Sequence, residues 1–146
     1  MTTPDWLRLD AQLCFRLYTA SRLMTRCYQP LLAELGLTYP QYLAMLVLWE
    51  GDGVTVKQLG ERLRLDSGTL TPLLKRLQAL DLVARTRRPD NERELAVTLT
   101  AAGRALRERA AEVPAAMLER VGLDAGEAAE LVGLLDKLTT AAGRAD

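Results

Sequence analysis

The chain has 146 residues and a mass of 16.1 kDa, with 19 Lys/Arg against 19 Asp/Glu, a length that fits one domain with one moderate core. Its 49% hydrophobic and 26% charged content is that of a soluble globular protein. Without histidine, and with only two cysteines, it excludes a disulfide framework, the commonest zinc ligand and every Ser-His or Cys-His catalytic pairing.

The opening residues Met1 to Arg8 contain no basic-then-apolar leader pattern, and no apolar run approaches the ~20 residues of a membrane span. A cytoplasmic location without membrane contact is the expectation, and no cofactor or metal is called for. From Leu7 to about Leu35, apolar residues recur at helical spacing (Leu9, Leu13, Leu17, Ala20, Met24, Cys27, Leu31, Leu35). Pro30 should bend or interrupt this helix near its end, and Gly36 stops it. Thr38-Tyr39-Pro40-Gln41 reads as a capping box that opens an apolar helix running to Trp49. Glu50-Gly51-Asp52-Gly53 is a turn, and Thr55-Val56-Lys57-Gln58 is a second capping box for a short helix through Leu63. After a break at Arg64-Leu65-Asp66, Asp66 or Ser67 caps a helix from Gly68 to about Leu80, with Pro72 in its early turns.

The period then changes from helical to alternating. Leu82 to Arg87 and Glu94 to Leu99 read as two strands joined by the polar turn Arg88 to Arg93, a β-hairpin with a basic tip. Two helices, roughly Ala101–Arg120 and Ala125–Ala142, close the chain, the second behind an Asp124-Ala125-Gly126-Glu127 cap.

Net charge is zero, but it is unevenly spread. Residues 54–93 carry 9 Lys/Arg and 5 Asp/Glu, whereas 1–53 carry 4 and 5 and 94–146 carry 6 and 9. A basic middle between acidic ends is the footprint of a phosphate-contacting surface. Helix, short turn, helix and basic hairpin is the order of a winged helix-turn-helix, whose second helix enters the major groove of double-stranded DNA. Ser67, Thr69 and Thr71 stand near the N-terminus of that helix, with Lys75 and Arg76 one turn on. Arg85, Arg87, Arg88 and Arg93 concentrate charge on the hairpin, where a narrow groove focuses negative potential. The alternative for each element alone is a solvated face.

Cys14, in Leu13-Cys14-Phe15, is the leading group for any chemical response. A cysteine on an apolar helix is otherwise an inert packing residue. On a continuous helix Cys14 and Cys27 lie about 20 Å apart, too far for an intrachain disulfide.

With these residues placed, the chain resembles the MarR family of dimeric winged-helix regulators and, within it, the organic hydroperoxide resistance repressors (OhrR-like). The resemblance spans nearly the whole length. It rests on Leu13-Cys14-Phe15, Tyr28-Gln29-Pro30-Leu31-Leu32, Leu37-Thr38-Tyr39-Pro40-Gln41-Tyr42-Leu43-Ala44, the run from Leu65 to Arg76 with Asp66-Ser67-Gly68-Thr69-Leu70-Thr71-Pro72-Leu73-Leu74 at its centre, and Glu92-Arg93. It implies a mainly α fold with a small β-hairpin wing, as a single domain over 1–146. The winged helix-turn-helix would occupy about 54–100, and helices at about 5–36 and 101–143 would form a homodimer.

It further implies a repressor of a pseudo-palindromic operator, with an organic hydroperoxide as signal and Cys14 as the sensing thiol. Tyr28 and Tyr39 of the other subunit would be hydrogen-bonding partners of the thiolate, with Tyr18 nearby. Tyr28 is about 21 Å from Cys14 along the same helix, so only a Tyr28 from an antiparallel partner reaches it; Tyr18, at i+4, approaches within its own chain. No cysteine lies in 101–146, so the chain resembles the one-cysteine branch, in which a small cellular thiol or over-oxidation completes the switch. Asn91 stands where family wings commonly carry Asp before the arginine. Plain interface packing is the other reading of Tyr28, Tyr39 and Tyr42, and structural packing is the reading of Cys27. The competing functions are a MarR-like regulator of a small aromatic ligand and a thiol peroxidase.

Overall fold

The computed structural model describes residues 4–88, 90 and 94–144. Two short 3₁₀ turns, Asp5–Leu7 and Leu9–Ala11, precede α1 (Leu13–Ala33), α2 (Tyr39–Glu50), β1 (Val54–Thr55), α3 (Val56–Leu63), α4 (Ser67–Ala79), β2 (Val83–Arg87), β3 (Leu95–Leu99), α5 (Ala101–Ala110), α6 (Val113–Val121) and α7 (Ala125–Gly143). The chain divides into two compact units, Met1–Val113 and Pro114–Asp146.

Four expectations about elements change. The first helix begins at Leu13, not Leu7. Upstream, the Gln12 side chain donates to the carbonyls of Trp6 (2.8 Å) and Arg8 (2.9 Å), and the Arg16 guanidinium donates to that of Asp10, so local side chains hold the two turns in place of a helical ladder. Pro30 does not interrupt α1, which runs on to Ala33; only one backbone donor is lost, near the end of a long helix. The expected helix Ala101–Arg120 is two helices, parted at Ala111-Glu112. Pro114, second residue of α6, has no N–H to continue α5 and suits a helix start. Finally, the hairpin is part of a three-stranded antiparallel sheet in the order β1-β3-β2, with Val54 opposite Val97 and Thr55 opposite Ala96.

All three capping boxes form. Thr38 and Gln41, Thr55 and Gln58, and Asp124 and Glu127 each exchange side-chain and backbone bonds reciprocally, fixing where α2, α3 and α7 begin. Within the first unit the core gathers Leu32 of α1, Met45 and Leu48 of α2, Leu59 of α3, Leu70, Leu74 and Leu77 of α4, and Val97 of β3, all buried. The buried residues of α4, Leu70, Leu73, Leu74 and Leu77, follow the i, i+3, i+4, i+7 stripe that turns the opposite face outward.

Two glycines set close approaches. A Cβ on Gly60 would lie 3.1 Å from the Leu65 carbonyl oxygen and 3.4 Å from Leu70 Cδ2, which lets α3 and α4 meet across their short turn. A Cβ on Gly103 would lie 2.1 Å from the Leu82 carbonyl oxygen, a position no side chain can take. The Gly103 carbonyl also accepts the Trp49 indole N–H at 2.9 Å, tying α5 to α2. Asp52 accepts the Leu99 N–H at 2.8 Å and pins the end of β3 to the turn after α2.

Candidate redox centre and nucleic-acid interface

Cys14 is the second residue of α1 and is exposed in the single chain. Because the helix starts at Leu13, the thiol lies in the first turn. There the first backbone N–H groups of the helix have no partner within it. The sequence pattern hid this by extending the helix upstream. Cys27 is half-buried.

Tyr28 and Tyr39, from α1 and α2, come together with ring centroids 4.6 Å apart. The structure adds Tyr42, whose ring lies 5.8 Å from that of Tyr28 and 6.4 Å from that of Tyr39. Tyr42 is 3% exposed, whereas Tyr28 and Tyr39 are half-buried. Burial pushes the Tyr28 phenol above its ordinary value, and the charges Tyr39 and Tyr42 would carry push it further. Burial also raises Tyr39, and burial followed by Tyr39 raises Tyr42. All three phenols therefore stay protonated at neutral pH and present O–H donors rather than anions.

The sequence carried Tyr42 only as a plain interface aromatic. Its signal was the Tyr39-Pro40-Gln41-Tyr42 spacing, which puts both rings on one face once the capping box fixes the helix start. Tyr18 does not join the cluster. It is 61% exposed, and the Arg22 guanidinium lies over its ring at 5.1 Å. Nor does one chain bring Cys14 to Tyr28: α1 is continuous from Leu13 to Ala33, so the two stay about 21 Å apart along its axis.

The candidate recognition surface lies on α4. Asp66 is its N-cap, accepting the Thr69 N–H at 2.8 Å. The bonds from Thr69 hold the Asp66 carboxyl below the usual carboxylate value. Ser67, Thr69, Lys75 and Arg76 are exposed on this helix, and Thr71 is half-buried. Arg64 ends α3 in the left-handed region at φ 55°, where its N–H still reaches the Glu61 carbonyl and the chain reverses into α4.

The hairpin cations differ from one another. The Arg85 guanidinium donates to Gln78 Oε1 of α4 at 2.7 Å and is half-buried. Arg88 is flanked by Asp90 at 3.3 Å and Glu94 at 3.5 Å, which offset its charge. Arg87 is exposed near the end of β2. Arg93 and Asn91 lie outside the described residues.

A family model described as transcriptional regulator SarA/Rot matches residues 26–109. The chain belongs to this family of MarR-type winged-helix regulators. The organic hydroperoxide resistance transcriptional regulator of Bacillus subtilis is 51% identical over 114 residues, 78% of each chain. Among solved structures, this SarA/Rot-type chain is similar to reduced AbfR bound to DNA, with a TM-score of 0.82 and 35% identity over 97% of this chain and 96% of that one. It is also similar to overoxidized AbfR bound to DNA, with a TM-score of 0.75 and 37% identity over 93% and 96%. AbfR comes from Staphylococcus epidermidis. Among the described residues no helix is long and apolar enough to cross a membrane.

Proposed function

We propose that this SarA/Rot-type chain is a homodimeric repressor that binds a pseudo-palindromic DNA operator when reduced and releases it when an organic hydroperoxide oxidises Cys14. It is a transcriptional regulator and not an enzyme, and it works in the cytoplasm. The observation that carries the sensing half is the separation within α1: an exposed thiol at the N-terminal turn, and neutral phenols gathered about 21 Å further along. Thiol and donors meet when a second copy lays its α1 antiparallel against the first, so that Tyr28 and Tyr39 of one chain serve Cys14 of the other. Similarity to a hydroperoxide resistance regulator and to a DNA-bound redox protein supports the same reading.

The Cys14 thiolate attacks the terminal oxygen of the hydroperoxide; the S–O bond forms as the O–O bond breaks. The transferred oxygen keeps its hydrogen, giving a sulfenic acid, and the alkoxide leaves and takes a proton from water. A small cellular thiol then condenses with the sulfenic acid, forming a mixed disulfide and releasing water. Overoxidized AbfR was solved bound to DNA, which favours the mixed disulfide over further oxidation as the releasing form here.

The reading of DNA falls to α4, with Ser67, Thr69 and Thr71 at its N-terminal turns and Lys75 and Arg76 beyond, while Arg87 and Arg93 of the wing meet the backbone. On the same module Arg85 donates to Gln78, and Arg88 lies between Asp90 and Glu94.

Gel shift on an inverted-repeat duplex, with cumene hydroperoxide and a small thiol, tests the proposal. Wild-type protein should release the DNA, and Cys14→Ser should bind with unchanged affinity and fail to release. Release by Cys14→Ser would overturn the thiol switch, and absence of binding by the reduced wild type would overturn the repressor.

A further inference from the structure

We propose that Tyr42 is a positioning residue for the sensing reaction, a buried ring that fixes the relative placement of the Tyr28 and Tyr39 phenols. The inference rests on the reading of those two phenols as thiolate partners and adds what holds them in register.

Tyr28 and Tyr39 stand on different helices. Tyr39 is the first residue of α2, and the Thr38–Gln41 capping box fixes its backbone but not its side chain. Tyr28 lies two residues before Pro30, whose missing N–H removes one helical bond from α1. Both are half-buried, so each has solvent on one side into which its ring could turn.

Tyr42 has no such freedom, at 3% exposure in a helix whose buried residues also include Met45 and Leu48. Its ring lies 5.8 Å from Tyr28 and 6.4 Å from Tyr39, with tilts of 41° and 36°, while the Tyr28–Tyr39 pair is 4.6 Å apart at 37°. All three separations fall in the range where aromatic pairs attract. Three mutual contacts with one member fixed define a triangle, whereas the outer pair alone could slide together. A hydrogen bond to a thiolate weakens steeply with angle, so holding the two phenols in one arrangement decides whether both can donate to a single sulfur.

The test measures the rate of Cys14 sulfenic acid formation in the full-length protein. The oxidant is tert-butyl hydroperoxide, trapping is with dimedone, readout is by mass spectrometry, and operator affinity of the reduced protein is measured in parallel. Tyr42→Phe keeps the ring and should oxidise at the wild-type rate. Tyr42→Leu should slow oxidation about tenfold, a mid-range coupling for residues in contact, with reduced operator affinity unchanged. In a Tyr28→Phe/Tyr39→Phe background, adding Tyr42→Leu should produce no further slowing, because the positioned groups are gone.

Slow oxidation in Tyr42→Phe overturns the proposal, since the ring would not be the acting part; that result does not depend on how well the leucine variant folds. Wild-type oxidation in a DNA-binding Tyr42→Leu overturns it as well. Equal slowing by Tyr42→Leu with and without the two hydroxyls would make the effect independent of Tyr28 and Tyr39 and overturn it too. If Tyr28→Phe/Tyr39→Phe itself oxidises at the wild-type rate, the underlying reading fails first.

Discussion

The winged region and the outer segments of this chain solve their packing in different ways. From α2 to β3, helix starts are capped, Leu59 of α3 and the leucines of α4 are buried, Asp52 pins β3 to the turn after α2, and the Trp49–Gly103 bond ties α2 to α5. The N-terminal segment instead exposes Trp6 at 72%, along with Leu7, Leu9, Leu13 and Leu23. In the second unit, α7 buries none of its described residues and leaves Leu131, Val132, Leu134 and Leu138 exposed. Large apolar side chains clustered on a surface mark an interaction site. The difference supports the proposal above, in which the DNA-reading part is complete within one chain and the sensing part is completed by a second copy.

Perturbing each region should therefore give separable results. The largest effect belongs to Gly103→Ala: the new Cβ meets the Leu82 backbone carbonyl, and overpacking of this kind destabilises by about 1–3 kcal/mol or more. Thermal denaturation should show a clear drop, with DNA binding falling alongside; an unchanged midpoint would mean that the winged region is not as closed as it looks. Next comes Leu134→Glu on α7, where the leucine is 64% exposed in the single chain. If a second copy covers it, the lost burial is worth about 1.5–3 kcal/mol per protomer. Sedimentation should show a weakened dimer and trapping should show slower Cys14 oxidation; a dimer of unchanged affinity would remove α7 from the interface.

Lys75→Ala, on the exposed face of α4, should weaken operator binding and lower the salt slope by about 1 if the lysine meets a phosphate. The rate of Cys14 oxidation should not move, and a change in it would couple the two regions in a way the comparison denies. The smallest effect is pH-dependent. The Asp66 carboxyl is held below its ordinary value by the α4 cap, so its contribution is fully present above that ordinary value and is lost as the pH falls through the lowered one. Asp66→Asn keeps a capping side chain but not the charge, so it should flatten this acid limb in pH-dependent denaturation by a small loss at neutral pH and none below the lowered value.

Much of the site could be read from the chain alone, for local reasons. The Thr38–Gln41, Thr55–Gln58 and Asp124–Glu127 boxes and the leucine stripe of α4 are short-range patterns whose physics is complete within a few residues. The basic excess over 54–93 and the thiol of Cys14 were likewise visible as residue types, whereas Tyr28 and Tyr39 were singled out by the family resemblance. Less legible was the start of α1: Leu7 and Leu9 fit its period, yet the side chains of Gln12 and Arg16 turn back on the preceding carbonyls and hold 3₁₀ turns instead. Reading past that boundary concealed that Cys14 occupies a helix N-terminus.

Sequence thus determined the kind of protein this is, because caps, periodicity and charge act over a turn or two of chain. Tertiary structure decided what no local pattern holds. It recruited Val54 and Thr55 as a third strand against β3, drew Tyr42 into contact with Tyr28, and laid Arg85 on Gln78 while leaving Lys75 exposed. Each of these depends on which distant segments meet, and that is settled by the burial of the shared core rather than by any neighbour in sequence.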